Sequence, residues 1–177
     1  MKFNMILATD TDYGISKNNK IPWHIPQDLK FFNKITKHNI CIMGSTTAKD
    51  LGKPLRDRIN IVISSNDDCK DLGKSDPNYN NNDFIIVRNF EDAIKLINSE
   101  KEIFIIGGSR LYNEALKSDK LNKIYYTHIN QSYGCDNFVD SILNKDDFKY
   151  EIIDKIQKES QEITFYLITK CLKNDLS

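Results

Sequence analysis

The sequence has no long apolar segment and no excess of charge of either sign. Its 177 residues include 25 lysines and arginines against 25 aspartates and glutamates. A membrane span needs about 20 apolar residues, and the apolar run near the amino terminus is also too short for a secretory signal. Balanced charge gives no electrostatic reason to expect nucleic acid or an anionic membrane as partner. The composition therefore predicts a soluble, cytoplasmic protein that binds a small molecule.

Cysteine is scarce and widely spaced. The four cysteines, Cys41, Cys69, Cys135 and Cys171, match neither a C-x-x-C motif nor the spacing of zinc ligands. Such spacing is typical of reduced thiols in a cytosolic protein, and we expect no metal site. A chain of this length can bury a core without disulfides or metal, so we expect one domain over residues 1–177.

Short apolar runs rich in isoleucine recur along the chain and predict buried strands. They are Met5–Ala8, Ile40–Met43, Ile59–Ser64, Phe84–Val87, Ile103–Ile106 and Ile124–Ile129. Four amphipathic stretches between them predict helices, at Asp28–Ile35, Thr46–Leu51, Phe90–Asn98 and Ser109–Leu116. This alternation favours an α/β fold with a largely parallel sheet. Two further strands, Tyr150–Ile156 and Ile163–Cys171, predict a closing antiparallel hairpin, and Asn66–Asp83 has the composition of a mobile surface loop.

The carboxylate of Asp28 occupies an unusual place in the segment from Gly14 to Thr36. Pro22 and Pro26 bracket an aromatic turn, and Pro26 suits the first position of a helix. On that helix the acid shares a face with three apolar residues, Phe31, Phe32 and Ile35. One interpretation is an ordinary first-turn acid favoured by the helix dipole. The other is a carboxylate beside Trp23 at the floor of a pocket, paired with a cationic or amidine-like ligand because an unpaired buried charge is costly.

Two strands run through glycine into a helix. Gly44 leads into Ser45-Thr46-Thr47, and Gly107-Gly108 leads into Ser109-Arg110. Glycine lets the backbone approach an anion, and the free amides of the first helical turn receive phosphate oxygens. Either element alone could be a tight connection, but together, at the carboxyl ends of parallel strands, they favour a pyrophosphate site. Ser64 and Ser65 follow another strand and are either a plain loop start or hydroxyl donors to an adenosine ribose or its phosphate.

Five motifs follow one another along nearly the whole chain: G-I-S-K-N-N-K-I-P-W-H-I-P-Q-D-L-K-F-F, I-M-G-S-T-T, P-L-R-D-R-I-N-I-V-I-S-S, I-I-G-G-S-R-L-Y and Y-Y-T-H-I. In these motifs the chain resembles dihydrofolate reductase. The resemblance implies a central mixed, mostly parallel eight-stranded sheet flanked by helices. It also implies reduction of dihydrofolate to tetrahydrofolate by hydride transfer from NADPH, in support of thymidylate and one-carbon metabolism. The expected form is a cytoplasmic monomer that binds antifolates such as methotrexate or trimethoprim.

The resemblance also assigns roles to individual residues. Asp28 would pair with the pterin ring nitrogen and 2-amino group, with Thr127 hydrogen-bonded behind it, while the proton for N5 arrives through water. Arg58 would grip the glutamate carboxylate of the substrate. The loop Thr11–Trp23 would close over the nicotinamide. The implied catalytic residues are Asp28, Trp23, Tyr112 and Thr127, and the substrate-binding residues are Ile6, Asp28, Phe32, Leu55, Arg58, Ile106 and Thr127. The implied cofactor-binding residues are Ala8, Ile15, Gly44, Ser45, Thr46, Thr47, Ser64, Ser65, Gly107, Gly108, Ser109, Arg110, Leu111 and Tyr112.

The chain departs from the family pattern after Gly44. Ser45 and Thr46 stand where the family usually has basic residues. A neutral hydrogen bond contributes about 0.5–1.5 kcal/mol and a charge-assisted one about 1.5–3 kcal/mol, so we expect weaker NADPH binding or a reduced preference over NADH, unless Lys49 or Lys53 compensates. A second departure, C-D-N-F-V-D at 135–140, keeps the acid but lacks the family's proline. His24 and His128 occupy motif positions without an apparent partner for general acid catalysis and are assigned structural roles.

Two alternatives remain open at this point. A pyrimidine reductase of riboflavin synthesis shares the nucleotide-binding architecture, although it is not expected to carry the P-W…D-L-x-F-F segment, and antifolate binding would discriminate the two. A non-catalytic folate- or nucleotide-binding homologue is suggested by Ser45 and Ala48. The joint presence of four residues argues against that second alternative, because a bare scaffold does not need such a constellation: Asp28, Phe32, Arg58 and Thr127.

Overall fold

The computed structural model describes residues 1–65, 83–97, 100–143, 145–158 and 160–171. Most of the segment predicted as a surface loop, Asn66–Asp83, and also Cys69 lie outside the described residues. The strands are β1 Phe3–Thr9, β2 Gly14–Ser16, β3 Ile40–Gly44, β4 Ile59–Ile63, β5 Phe84–Val87, β6 Ile103–Ile105, β7 Leu121–Ile129, β8 Asn137–Phe138, β9 Phe148–Lys158 and β10 Gln161–Lys170. The helices are α1 Pro26–Thr36, α2 Ser45–Leu51, α3 Phe90–Leu96 and α4 Ser109–Lys117.

Eight strands form the central sheet, in the order β5-β4-β3-β6-β1-β7-β10-β9. Every described pairing from β5 to β7 is parallel, whereas β10 runs antiparallel to both β7 and β9. The predicted mixed, mostly parallel sheet with a C-terminal antiparallel hairpin is therefore confirmed. Strands β2 and β8 form a separate two-stranded sheet that was not predicted, because segments of two and three residues carry no periodic pattern.

The isoleucine-rich strands are buried because helices cover both faces of the sheet. On one face Met5 and Leu7 pack in a cluster with Ala93 of α3 and Ala115 of α4. On the other, Ile6 and its neighbours pack with α2 and α1 through a second set of side chains, including Ala48, Phe32 and Ile35. A strand buried on both faces has no alternation of polar and apolar residues, which explains the continuous apolar runs in the sequence.

The carboxyl ends of the parallel strands meet along one edge of the sheet. There the Gly44 N–H donates to the carbonyl of Gly107 at 2.8 Å, and the Ser64 N–H donates to the carbonyl of Val87 at 2.9 Å. These contacts bring the strand-to-helix connections together, and the principal cavity opens beside them. Within the described ranges, the helices are too short or too polar to cross a membrane.

Candidate active site

A cavity of about 1000 Å³ collects most of the residues selected from the sequence. All fourteen of the predicted cofactor-binding residues line it. Seven of the predicted catalytic and substrate-binding residues line it as well: Ile6, Trp23, Asp28, Phe32, Leu55, Ile106 and Tyr112, the last of which is also a predicted cofactor-binding residue. Thr127 and Arg58 do not line the cavity, and each instead contacts a residue that does. The predicted residues therefore surround one space, with two of them in supporting positions.

Asp28 lies in the first turn of α1 and faces this cavity. Burial raises the pKa of its carboxyl above the ordinary value, and a hydrogen bond with the Thr127 side chain partly opposes that shift. Thr127 is itself almost completely buried on β7. An acid on an exposed helical turn would not be desolvated in this way. The geometry thus favours the second interpretation of Asp28, a pocket carboxylate that requires a ligand partner.

The face that α1 turns to the cavity is rotated slightly from the one the sequence suggests. Leu29, Phe32 and Asn33 line the cavity together with Asp28. Phe31 instead packs in the core, where its ring lies 5.0 Å from Phe165 and 6.3 Å from Tyr125. The contribution of Leu29 and Asn33 was missed, although both share a helical face with Phe32.

The Trp23 indole closes the pocket near the first turn of α1. Its ring is buried and meets Tyr133 edge-on at 5.4 Å. Among the described residues, its Nε1 is the buried side-chain polar atom without a hydrogen-bond partner. A buried N–H left without a protein acceptor is a donor reserved for water or for a ligand. Trp23 therefore adds a directional polar group to a largely apolar wall.

Tyr112 lines the cofactor half of the cavity and is hydrogen-bonded to strand β1. Its hydroxyl donates to the carbonyl of Ile6 at 2.9 Å, and burial raises the pKa of the phenol well above its usual range. The group therefore stays protonated and keeps its hydrogen bond at any ordinary pH. It fixes the position of the Ile6 carbonyl, and Ile6 is one of the substrate-binding residues that the resemblance implies.

Arg58 is a buried guanidinium beside Asn33, a residue that lines the cavity. Its Nε donates to the Arg56 carbonyl at 3.0 Å, and its terminal nitrogens donate to Thr36 Oγ1 at 3.1 Å and Asn33 Oδ1 at 2.9 Å. It also lies 5.7 Å from the centre of the Phe32 ring. A guanidinium carries five N–H groups, so these bonds leave one on each terminal nitrogen. Two such donors match the two oxygens of a carboxylate.

The Gly107-Gly108 turn leaves its backbone open to the cavity. The peptide between the two glycines is cis, and Gly107 has a φ of 135°, which side chains rarely adopt. A Cβ on Gly107 would lie 2.9 Å from Thr47 Oγ1, so only glycine fits. Gly108 caps α4 without a side chain, and no acid occupies the first turn of that helix. The exposed first-turn amides and this glycine cradle fit the pyrophosphate of a dinucleotide.

The charges around the cavity are mostly negative. Among the described lining residues Arg110 is the single cation, and it lies 3.6 Å from Glu114 on its own helix. Three acids line the cavity: Asp28, Asp50 and Asp136. Of these, only Asp28 has a ligand group implied by the resemblance. Lys49 does not line the cavity, and Lys53 borders a separate smaller cavity of about 440 Å³. Neither lysine replaces the basic residues missing at 45 and 46.

A buried acid, Asp10, anchors the loop beside the cavity. Its carboxylate accepts the backbone N–H groups of Asp12, Gly14 and Tyr133 at 3.0, 2.8 and 3.0 Å. Burial raises the pKa of Asp10, but these hydrogen bonds outweigh that effect, and the pKa is lowered overall. The anchor therefore ties the start of the predicted closing loop to the segment before β8.

Strands β2 and β8 carry this loop to the cavity. Asp136 Oδ2 accepts the N–H of Asn18 at 2.8 Å, and the Asp136 N–H donates to the Ser16 carbonyl at 3.0 Å. Asn18 and Asn19 both have left-handed backbone conformations, with φ of 50° and 62°, which asparagine tolerates in tight turns. Both residues line the cavity, so the loop is in position to cover a bound ligand.

His128 has a hydrogen-bond partner away from the cavity, and its structural role stays a prediction. Its Nδ1 lies 3.1 Å from the hydroxyl of Tyr126, which in turn lies 2.8 Å from Thr9 Oγ1. The side chains of successive residues in a strand point to opposite faces of the sheet. Thr127 therefore points toward Asp28, and the hydrogen-bonded side chains of Thr9, Tyr126 and His128 lie on the other face. Neither His128 nor the exposed His24 lines the cavity.

The sheet, the glycine turns at its carboxyl edge and the shared cavity define an α/β enzyme that binds a nucleotide cofactor beside a second ligand. Comparison with known proteins identifies the family. The family model described as "Dihydrofolate reductase" matches residues 2–171. The chain is 34% identical over 176 residues to the dihydrofolate reductase of Buchnera aphidicola subsp. Baizongia pistaciae (strain Bp), covering 98% of each chain.

Two other relatives give the same result. Identity to the dihydrofolate reductase of Drosophila melanogaster is 33% over 155 residues, covering 80% of this chain and 81% of the relative. Identity to that of Staphylococcus haemolyticus is 32% over 167 residues, covering 94% and 93%. The chain therefore belongs to the dihydrofolate reductase family. Its activity is the reduction of dihydrofolate with a nicotinamide cofactor.

Proposed function

We propose that the chain, as a single domain over residues 1–177, reduces dihydrofolate to tetrahydrofolate with NADPH as the hydride donor. The observation that carries this proposal is the arrangement of one cavity. The desolvated acid Asp28 and the Gly107-Gly108 cradle face the same space. A pterin on the acid and a dinucleotide on the cradle would therefore meet inside it. The product would supply thymidylate synthesis and one-carbon metabolism.

At the pterin end, Asp28 binds the ring nitrogen and the 2-amino group. A pair of charge-assisted hydrogen bonds supplies the partner that the desolvated carboxylate requires. Thr127 holds the carboxylate in position from behind. The unpartnered N–H of Trp23, which lines the same cavity as Asp28, can donate to an ordered water. The proton for N5 arrives through such a water while the carboxylate orients and polarises the ring.

At the tail end, Arg58 binds the glutamate carboxylate. The three contacts on its guanidinium hold the planar group still and leave two N–H donors for the substrate. Phe32 and Leu55 form the apolar walls against the aminobenzoyl group. The substrate is thus held at two ends, by an acid and by an arginine.

At the cofactor end, the chain's own groups hold the dinucleotide and exclude water. The Gly107-Gly108 cradle and the first-turn amides of α4 receive the pyrophosphate, and Ser64 and Ser65, which line the same cavity, bind the adenosine ribose. When bound, the nicotinamide cofactor supplies the hydride that reduces the pterin. Ile15 lies on the loop anchored by Asp10, and closure of that loop excludes water from the reacting groups.

The neutral residues at 45 and 46 predict a weak preference for NADPH over NADH. Neither Lys49 nor Lys53 lines the cofactor cavity, so a cation near the cofactor phosphates is missing on this side. The test is kcat/KM with each cofactor for the unmodified protein and for Ser45→Arg. A new charge-assisted contact with the 2′-phosphate, which NADH lacks, should improve kcat/KM for NADPH by about tenfold or more and leave NADH nearly unchanged. A strong NADPH preference in the unmodified protein would contradict this part of the proposal.

We also propose a cytoplasmic monomer without nucleic-acid or membrane partners, inhibited by methotrexate and trimethoprim. The balanced charge of the sequence supports the absence of polyanionic partners. Sedimentation at micromolar concentration tests the monomer. Titration with methotrexate, followed by quenching of the one tryptophan, Trp23, tests the pterin pocket directly. A dimer, or no binding of methotrexate, would overturn the corresponding statement.

A further inference from the structure

The side-chain hydrogen bonds of Asn60 all go to the loop that connects α2 to β4. Its side chain is fully buried. The Oδ1 atom accepts the Leu55 N–H at 3.0 Å, while Nδ2 donates to the carbonyls of Leu55 at 2.9 Å and Arg58 at 3.0 Å. One amide therefore fixes both ends of a four-residue segment.

The two residues that Asn60 fixes are those assigned to the substrate tail. Leu55 lines the cavity, and Arg58, which keeps two N–H groups after its protein contacts, donates to Asn33, which also lines it. Asn60 itself does not line the cavity. It can therefore act on the substrate only through the backbone of the loop.

The backbone of this loop needs an external tether. Asp57 has a φ of 60°, in the left-handed region that non-glycine residues seldom occupy unless neighbouring contacts hold them there. Arg56 points to solvent and its side chain is 90% exposed. The segment between Leu55 and Arg58 thus has little packing of its own, and the amide of Asn60 supplies three of the bonds that define its shape.

We propose that Asn60 is a positioning residue for the substrate tail. It sets the position of Leu55 in the apolar wall and of the Arg58 guanidinium that would bind the substrate carboxylate. This inference rests on the proposed function. It separates the two halves of substrate recognition. The pterin head depends on Asp28, on α1. The tail depends in addition on a loop whose backbone is held from β4, although the Arg58 guanidinium itself also donates to Thr36 and Asn33 of α1.

The test compares two substrates in Asn60→Ala and Asn60→Ser. One is dihydrofolate, and the other is a dihydropterin that carries a methyl group in place of the tail. Loss of the loop geometry should lower kcat/KM for dihydrofolate by about tenfold or more, mainly through KM, as for loss of a hydrogen bond to a charged group. The methyl-dihydropterin should change by less than about twofold, since it makes no contact with the loop.

A matched control is Asn4→Ala. Asn4 is also a buried asparagine, and it hydrogen-bonds Glu102 and Asn122 at 3.1 Å each, away from the cavity. It should lower thermal stability without changing the ratio of kcat/KM for the two substrates. Serine at position 60 keeps a hydroxyl in the space, so it provides a folded variant if alanine does not fold.

Equal losses on both substrates in the Asn60 variants, or no loss on either, would overturn the inference. The inference would also be overturned if Asn4→Ala changed the ratio of kcat/KM for the two substrates as much as the Asn60 variants do. Failure of the proposed function would look different, because the unmodified protein would then turn over neither substrate.

Discussion

Replacing Arg58 with glutamine tests the tail half of the site. The guanidinium is buried, has no carboxylate within ion-pair distance among the described residues, and keeps two N–H groups after its three protein contacts. Each charge-assisted hydrogen bond contributes about 1.5–3 kcal/mol. Two of them contribute about 3–6 kcal/mol, which corresponds to about 10²–10⁴-fold in kcat/KM.

The assay is steady-state oxidation of the cofactor with dihydrofolate and with the methyl-dihydropterin. Arg58→Gln should raise KM for dihydrofolate and leave the tail-less substrate nearly unchanged. Arg58→Lys retains the charge but not the planar fork, so it should recover only part of the loss. Arg56→Gln is the matched control, because Arg56 lies in the same loop with its side chain 90% exposed.

Thermal denaturation accompanies this assay. Arg58→Gln also removes hydrogen bonds to Thr36, Asn33 and the Arg56 carbonyl, so the variant should melt at a lower temperature. The tail-less substrate reports on whether the remaining site is intact. A decrease in kcat/KM of the same size for both substrates would refute the bidentate role of Arg58, and so would an unchanged KM for dihydrofolate.

Two further predictions concern the buried acids. Because folding raises the pKa of Asp28 above 3.8, the stability of the ligand-free protein should decline as pH rises from that ordinary value through the raised one. The Tm of Asp28→Asn should not show this decline with pH and should be higher than the Tm of the unmodified protein near neutral pH. If the two proteins showed the same dependence of Tm on pH, the raised pKa of Asp28 would be contradicted. In Asp10→Asn the amide can no longer accept all three N–H groups, so Tm should fall and the loop should loosen. The looser loop should change the fluorescence of Trp23 and raise KM for the cofactor. The control is Asp12→Asn, because the carboxylate of Asp12 accepts a hydrogen bond from the exposed Ser132 hydroxyl. Equal effects in the two variants would rule out an anchoring role for Asp10.

The sheet was predictable because its signal is local. Strands such as β3 and β4 are buried on both faces, so their sequences are continuous apolar runs that stand out from the amphipathic helices. The boundaries were less exact. Strand β7 begins at Leu121 rather than Ile124, and β10 ends at Lys170 rather than Cys171, since strand ends depend on which neighbours are available for pairing.

The supporting contacts of the site were not predictable. Asp10 meets Tyr133, and Arg58 meets Asn33, across long stretches of chain that carry no shared periodicity. Asn60 has the same property, because a polar residue inside a strand pattern gives no sign of the loop that it will bind. Motif resemblance selected the residues of the cavity, whereas the groups that hold them in place became visible only in the fold.

The most direct test of the central claim is oxidation of NADPH on addition of dihydrofolate, measured for the unmodified protein and for Asp28→Asn, with NADH in parallel. The unmodified protein should oxidise NADPH when dihydrofolate is added. Turnover should fall by about 10²-fold or more in Asp28→Asn, since two charge-assisted bonds to the pterin are weakened. Undiminished turnover in Asp28→Asn would contradict the role of the acid. No turnover by the unmodified protein, in a folded state that still binds methotrexate, would contradict the proposed reaction itself.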